Sequence, residues 1–326
     1  MTGDDAGVPG GTADGVPGRA GDGVSVGVVD GVASVVLDRP HARNGLDLAM
    51  CLGLRAAFER LDSAADVRVV LLRANGPVFC AGADLKERVG RDEAWVRRRR
   101  QASFAAYEAI ERCSKPVVAL VQGPVVGSGG EIAMSCDFVV ASTAATFRFP
   151  EPHLGTVGAT QRLQRVIGRA RAKELLFTDR VMSAEEAHRV GLVARLVAPH
   201  ELADAGVAVA AAIAAAPPLA LALTKQAVDL GAETDLDRGI RIEMAAIERN
   251  LADGGWRAGV ARFSGAGDDV RNDDVRNDAG GTAAPGTGGS TAHGTGDDAD
   301  SSLGDDADSD SDGSADNGPE NSGTTT

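Results

Sequence analysis

The stretch from Lys115 to Glu151, KPVVALVQGPVVGSGGEIAMSCDFVVASTAATFRFPE, leaves the backbone few paths to follow. Val117 to Val121 is an apolar, largely β-branched run short enough for a strand buried on both faces. Gly123, Gly127, Gly129 and Gly130 then permit a tight course, and Glu131 opens a helical segment. A strand, a glycine loop and a helix in that order aim unbonded N–H groups at the point where the helix begins. One carboxylate, Glu131, stands at the same point. A second apolar run, Phe138 to Ala141, is followed by Phe147 to Glu151, which supplies a second carboxylate. Two glutamates near a loop of free amides point to acid/base chemistry on a carbonyl compound.

The rest of the chain reads as support for that stretch. Val24 to Val29 and Val32 to Leu37, joined by Asp30-Gly31, form its strongest hairpin signal. A polar loop comes next, through Asn44. Leu48, Leu52, Leu54, Phe58 and Leu61 then fit a helix over 48–61 with Asp47 as N-cap. Val67 to Leu72 is another buried strand, closed by a turn at 74–77. The small residues of Phe79 to Lys86 let backbone approach a ligand closely, and Asp84 is placed to cap a helix after it. A long helix spans Glu93 to Cys113. Beyond Glu151, helices are expected over 160–167 and 171–177. Ser183 caps a short helix, with Glu186 at the capping-box position, and Gly191 ends it. Val193 to Val197 is a small strand. From Pro199 the pattern is wholly helical, at about 199–215, 218–230, 235–252 and 256–263. Strand and helix alternate to residue 197 and helices alone come after it, which implies an α/β core, 23–197, with an all-helical region, 198–264.

Composition sorts the ends from the middle. Beyond Ser264 the chain holds 15 acidic residues against two arginines, so nearly all of the formal charge of −14 lies there. That segment, 265–326, and residues 1–22 are rich in Gly, Asp, Ser and Thr without hydrophobic period, and are expected to be disordered. Nucleic-acid binding is disfavoured, because no basic face with interleaved aromatics occurs. The run Arg97 to Arg100 lies on the long helix, so its side chains point around the axis. A solvated surface is the first reading and contact with an anion the alternative. Cys51, Cys80, Cys113 and Cys136 show no CxxC pairing and no secretory leader precedes them. Reduced thiols in a cytoplasmic protein are expected, with no disulfide or metal site. Ala205 to Leu223 is uncharged, but Pro217-Pro218 breaks it into two helices and argues against a membrane span.

Three motifs in order, FCAGADLKE at 79–87, KPVVALVQGPVVGSGGEIAMSCD at 115–137 and FRFPEPHLG at 147–155, make the chain resemble the crotonase superfamily, the enoyl-CoA hydratase/isomerase group. The similarity runs from about Val24 to Phe263. The resemblance implies a crotonase-like spiral of ββα repeats and a helical C-terminal trimerisation region, in a homotrimer or dimer of trimers. It implies an acyl-CoA thioester as substrate, with coenzyme A as part of that substrate and no further cofactor. The thioester oxygen would be held by the backbone N–H groups of Ala83 and Ser128. Glu131 and Glu151 match the two glutamates of enoyl-CoA hydratases. Glu151 would deliver a proton at Cα, and Glu131 would activate the water that adds at Cβ. Arg39, Arg43, Ala81, Asp84, Leu85, Lys86 and Gly127 are the candidates for contacts to substrate and CoA.

The chain also departs from the family. Gly155 to Leu163 is three residues shorter than the usual glycine-rich loop, which in hydratases supplies an amide to the catalytic water; Gly158 is the candidate replacement. Other reactions of the superfamily therefore stand beside hydration: isomerisation, dehydration or decarboxylation, or a silent accessory subunit. Each residue also has a plainer reading. Glu131 suits a helix first turn, Glu151 an exposed loop, His153 a structural role, and Cys80 and Cys136 the core.

Overall fold

Asp30 and Gly31 both adopt positive φ, 49° and 78°. This two-residue turn matches the twist of the strands it joins. It folds β1 (Val24–Val29) antiparallel onto β2 (Val32–Leu37), pairing Val29 with Val32. The computed structural model describes residues 23–257, 259–261 and 264. The segments expected to be disordered, 1–22 and 265–326, lie outside the described residues, and the last expected helix, 256–263, lies partly outside them.

Next in chain order come α1 (Leu48–Ser63), β3 (Val69–Ala74), α2 (Glu93–Glu111), β4 (Val117–Val121), β5 (Val125–Val126), α3 (Ser128–Ser135) and β6 (Phe138–Ser142). After these stand β7 (Thr146–Arg148), α4 (Thr160–Ile167), α5 (Arg169–Thr178), β8 (Met182–Ser183), α6 (Ala184–Arg189) and β9 (Arg195–Val197). Three longer helices come next, α7 (Leu202–Ala214), α8 (Pro218–Ala232) and α9 (Leu236–Asp253), and the described residues among 256–261 are helical as well. The main sheet runs β1-β2-β3-β4-β6-β9, and after the first hairpin every pairing in it is parallel. A small sheet, β5-β7-β8, stands beside it.

Successive residues of the central strands serve two different cores, as side-chain alternation requires. Val69, Leu71, Val118, Leu120 and Val140 meet Leu202, Val209 and Ala210 of α7. Val70, Leu72, Val117, Ala119, Val121, Val139 and Ala141 join the larger cluster with Leu54, Phe58, Ile110 and Ile132. Gly206 lets α7 lie flat on the sheet, since a Cβ there would fall 2.5 Å from Leu120 Cδ1.

Caps and ends agree closely with the sequence. Asp47 Oδ1 accepts the Met50 N–H at 2.8 Å, and Ser183 accepts that of Glu186 at 3.2 Å. The capping box at Ser183 is only half formed, because the Glu186 carboxylate turns to Arg180 instead. Several boundaries move, three of them for a reason visible in the contacts. β3 spans 69–74 rather than 67–72, because the Val67 N–H closes a turn on Ala64. β9 begins at Arg195, because Val193 bonds back to Ala187. The helix expected to open at Glu131 opens at Ser128 and takes both glycines into its first turn. Around Pro217-Pro218 the helices bend by 103°, and no single helix among the described residues is long and apolar enough to cross a membrane.

Candidate active site

Segments that leave the carboxyl ends of β3, β4 and β6 converge at one cleft, the usual place for a site in a parallel sheet. From β3 comes the loop at 79–84. Its Gly82 carbonyl accepts the Leu46 N–H and its Asp84 N–H donates to the Leu46 carbonyl, both at 2.8 Å. The Ala83 N–H, between those two bonds, faces the other way. From β4 comes the turn into α3. Val126 N–H donates to Cys80 O and Gly127 N–H to Arg148 O, each at 2.9 Å, so Ser128 is the first residue with its N–H left over. Neither the Ala83 nor the Ser128 N–H meets a backbone acceptor among the described residues. The two loops touch at Gly82 (φ 90°), where a Cβ would lie 2.9 Å from Val126 O and 3.8 Å from Ser128 N. Glycine is therefore required for the two donors to approach each other.

Glu151 reaches the cleft from the segment after β7. It is 8% exposed, and its Oε2 is buried without a hydrogen-bond partner among the described residues. Its Oε1 lies so near the α3 turn that a Cβ on Gly127 would approach it to 2.5 Å. Burial pushes the Glu151 carboxyl above its ordinary value; the charge of Glu131 adds to this, and Arg100 opposes it. The exposed-loop reading of Glu151 is thereby excluded.

Glu131 is equally buried, 6% exposed, but differently engaged. Its Oε1 accepts the Ala159 N–H at 2.8 Å, and its Oε2 pairs with Arg162 Nη1 at 3.1 Å. Arg162 also holds Glu111 at 2.7 Å and lies over the Tyr107 ring. The shortened loop thus gives Glu131 an amide from Ala159. Gly158 instead lies against the Glu151 stem, where a Cβ would meet Cγ at 2.9 Å. Glu151 lines the cleft directly; Glu131 stands behind it, outside the lining residues.

The other candidates divide. Ala81, Ala83, Leu85, Gly127 and Ser128 line the cleft with Glu151. Asp84 and Arg39 are occupied with each other at 3.3 Å, and Arg39 also pairs with Asp47 at 3.0 Å. That leaves Arg39 neutralised within the fold, which counts against a free phosphate contact. Arg43 and Lys86 are exposed, and Arg43 fixes Ala81 through its own carbonyl at 3.0 Å. His153 is exposed, with Nε2 against Phe177 O at 2.8 Å, and is not in the lining. All four cysteines are buried free thiols, and burial raises Cys80 to about 12, in keeping with core roles.

Two contributors, Asn44 and Arg88, escaped the sequence, and a third, Arg100, belongs to the run for which anion contact was the alternative reading. Asn44, fully buried, donates to Asn75 O and Val78 O at 2.8 Å each and accepts the Arg39 N–H, which ties the 79–84 loop in place. Arg88 and Arg100 line the cleft itself. The run Arg97 to Arg100 is not uniformly solvated. Arg97 is exposed, whereas Arg99 is 1% exposed, donates to the Leu46 carbonyl and Ser103 Oγ, and forms an ion pair with Glu87. Arg100 reaches Thr156 Oγ1 at 2.8 Å. A helix places consecutive residues about 100° apart, so only a knowledge of what lies across each face separates these four.

An α/β enzyme with two inward backbone donors and a buried, unpaired carboxyl beside them is the class that fold and site define. The family profile described as Enoyl-CoA hydratase/isomerase matches residues 27–269, and the chain belongs to that family. It is 35% identical over 231 residues to the crotonyl-CoA hydratase of Syntrophomonas wolfei, covering 70% of this chain and 89% of that one. It is 36% identical over 216 residues to the short-chain-enoyl-CoA hydratase of Clostridium acetobutylicum, covering 65% and 83%. Among solved structures, the enoyl-CoA hydratase of Bacillus anthracis superposes with a TM-score of 0.72 at 35% identity, over 74% of this chain and 96% of that chain. The expected crotonase fold is therefore the fold of this protein.

Proposed function

We propose that this chain hydrates the 2,3 double bond of an enoyl-CoA thioester. The observation that carries the proposal is the buried, unpaired Glu151 Oε2 beside the free N–H groups of Ala83 and Ser128. The thioester oxygen would accept both N–H groups, which stabilise the enolate as negative charge grows on it. Glu131, in its ion pair with Arg162, would take a proton from water as that water adds at Cβ. Glu151, whose carboxyl burial pushes toward the protonated form, would give its proton to Cα. One carboxylate held in an ion pair and one carboxyl left unpaired suit such a division between base and acid. No metal or further cofactor enters these steps.

One observation favours a second reading. The Glu131 carboxylate is drawn to Ala159 and Arg162 and lies outside the cleft lining. Glu151 alone would then carry a proton between Cα and Cγ and isomerise a 3-enoyl to a 2-enoyl thioester. Purified protein is to be assayed with 2-enoyl-CoA and 3-enoyl-CoA thioesters of matched length. Hydration is expected, with loss in both Glu131→Gln and Glu151→Gln. Isomerisation retained by Glu131→Gln and abolished by Glu151→Gln, without hydration by the wild type, would replace the first reading with the second.

The same family reading gives a homotrimer or a dimer of trimers. Its support is α9, whose Leu236, Ile240, Met244, Ile247 and Leu251 recur at helical spacing and are all exposed.

A further inference from the structure

Two cations in the cleft form no ion pair among the described residues. Arg88 and Arg100 line it together with Ala83, Ser128, Glu151 and Thr156. Both are half-buried, and neither forms an ion pair among the described residues. Their neighbours do: Arg97 pairs with Glu93, and Arg99 with Glu87. Among the described residues, the only side-chain bond of Arg100 is to the neutral Thr156 hydroxyl. The Arg88 Nε is buried without any partner there. Two like charges sharing a half-buried cleft repel one another, and burial with the nearby charges of Arg99 and Arg100 works against the charged form of Arg88, which Glu87 offsets only in part. Glu151, the carboxyl in the same cleft, forms no ion pair with either arginine among the described residues, and burial works against its charged form.

Building on the enoyl-CoA reading, we infer that the acyl group itself carries the missing anion: the preferred substrate is the mono-CoA thioester of a dicarboxylic acid, its distal carboxylate held by Arg88 and Arg100. Guanidinium groups form paired, charge-assisted hydrogen bonds with a carboxylate. Location argues against the CoA phosphates as the anion. The guanidiniums line the same small cleft as the donors for the thioester oxygen, and the long pantetheine arm separates that oxygen from the phosphates. An anion a few bonds beyond Cβ meets them; one at the far end of CoA does not.

The test compares thioesters that differ in the terminal carboxylate. Calorimetry with glutaryl-CoA and pentanoyl-CoA, neither of which has a double bond to react, is expected to show glutaryl-CoA bound roughly 10- to 100-fold more tightly, the size of a hydrogen-bonded charge contact. In Arg88→Gln and Arg100→Gln that ratio should fall, and in the double variant it should approach one. Each variant is compared with itself on two ligands, so a general loss of affinity leaves the ratio unaffected. Equal binding of the two thioesters by the wild type overturns the inference, as does a ratio that survives the double substitution. Weakening of both thioesters alike by the substitutions would instead assign the arginines to CoA phosphates, and also overturns it. Turnover of glutaconyl-CoA and 2-pentenoyl-CoA is measured in parallel. A binding preference without hydration of either compound removes the hydratase reading and leaves the inference standing, so the two failures are distinct.

Discussion

In the proposed reaction Glu151 is a side chain both costly to the fold and needed for the chemistry. An unpaired carboxyl oxygen in a buried place is destabilising when ionised. Because burial raises its value in the folded state, the folded protein holds this proton at a pH where the unfolded chain has lost it. Stability therefore falls as pH rises from the ordinary carboxylate value through the raised one, and the penalty is complete above that window. Glu151→Gln is expected to raise the thermal midpoint at neutral pH, with the difference vanishing in acid, measured by thermal unfolding across pH. The same substitution should lower kcat/KM by about 10²- to 10⁴-fold, the range for loss of a general acid. In the wild type, the rate should decline as pH rises through the raised value, because the donor must be protonated. A pH–rate profile that is flat there would contradict the assignment of Glu151 as acid.

The first turn of α3 sets local propensity against close approach. Gly129 and Gly130 weaken a helix by about 0.5–1 kcal/mol each relative to alanine. Yet a Cβ on Gly130 would fall 2.5 Å from Phe149 Cε1, and one on Gly129 2.6 Å from Cys80 O. Overpacking of a filled core costs about 1–3 kcal/mol, so the steric effect exceeds the propensity gain. Gly130→Ala is expected to be net destabilising in urea titration, and a stabilised variant would show that the Phe149 ring yields freely. This also explains why the sequence misplaced the helix start: glycines signal a loop by propensity, while their use inside a helix depends on a ring and a carbonyl distant in the chain. The cap at Asp47 was legible because its partner, Met50, is three residues away.

For the assembled protein, the exposed apolar stripe of α9 and the acidic segment beyond Ser264 give opposite expectations. Ile240→Asp should dissociate the proposed oligomer, as read by sedimentation, while far-UV circular dichroism stays unchanged. Truncation after Ser264 removes most of the net charge and should alter neither assembly nor turnover, since the cleft is built from residues between Ala81 and Thr156. Loss of either property on truncation would give that segment a function.

The division between what was readable in the chain and what needed its folding is clearest among the charged residues. Ser128 and Glu131 lie in one contiguous motif, where strand, glycine loop and helix arise from short-range pattern; Ala83 and Glu151 each lie in a motif of their own, and it is tertiary contact, as at Gly82 against Val126, that brings them to the same cleft. The hairpin at Asp30-Gly31, the buried strand at Val117 to Val121 and the all-helical end have the same local origin. The roles of Arg39, Arg88, Arg99, Arg100 and Arg162 do not. Each depends on a carboxylate, a carbonyl or an empty cleft brought near by elements far along the chain. Arg99 and Arg100 are adjacent on one helix, yet one is sealed against Leu46 and the other opens onto Glu151. The stretch from Lys115 to Glu151 thus specifies its own backbone, but whether a neighbouring charge is neutralised or left for a ligand is decided by long-range contact, which periodicity and propensity do not encode.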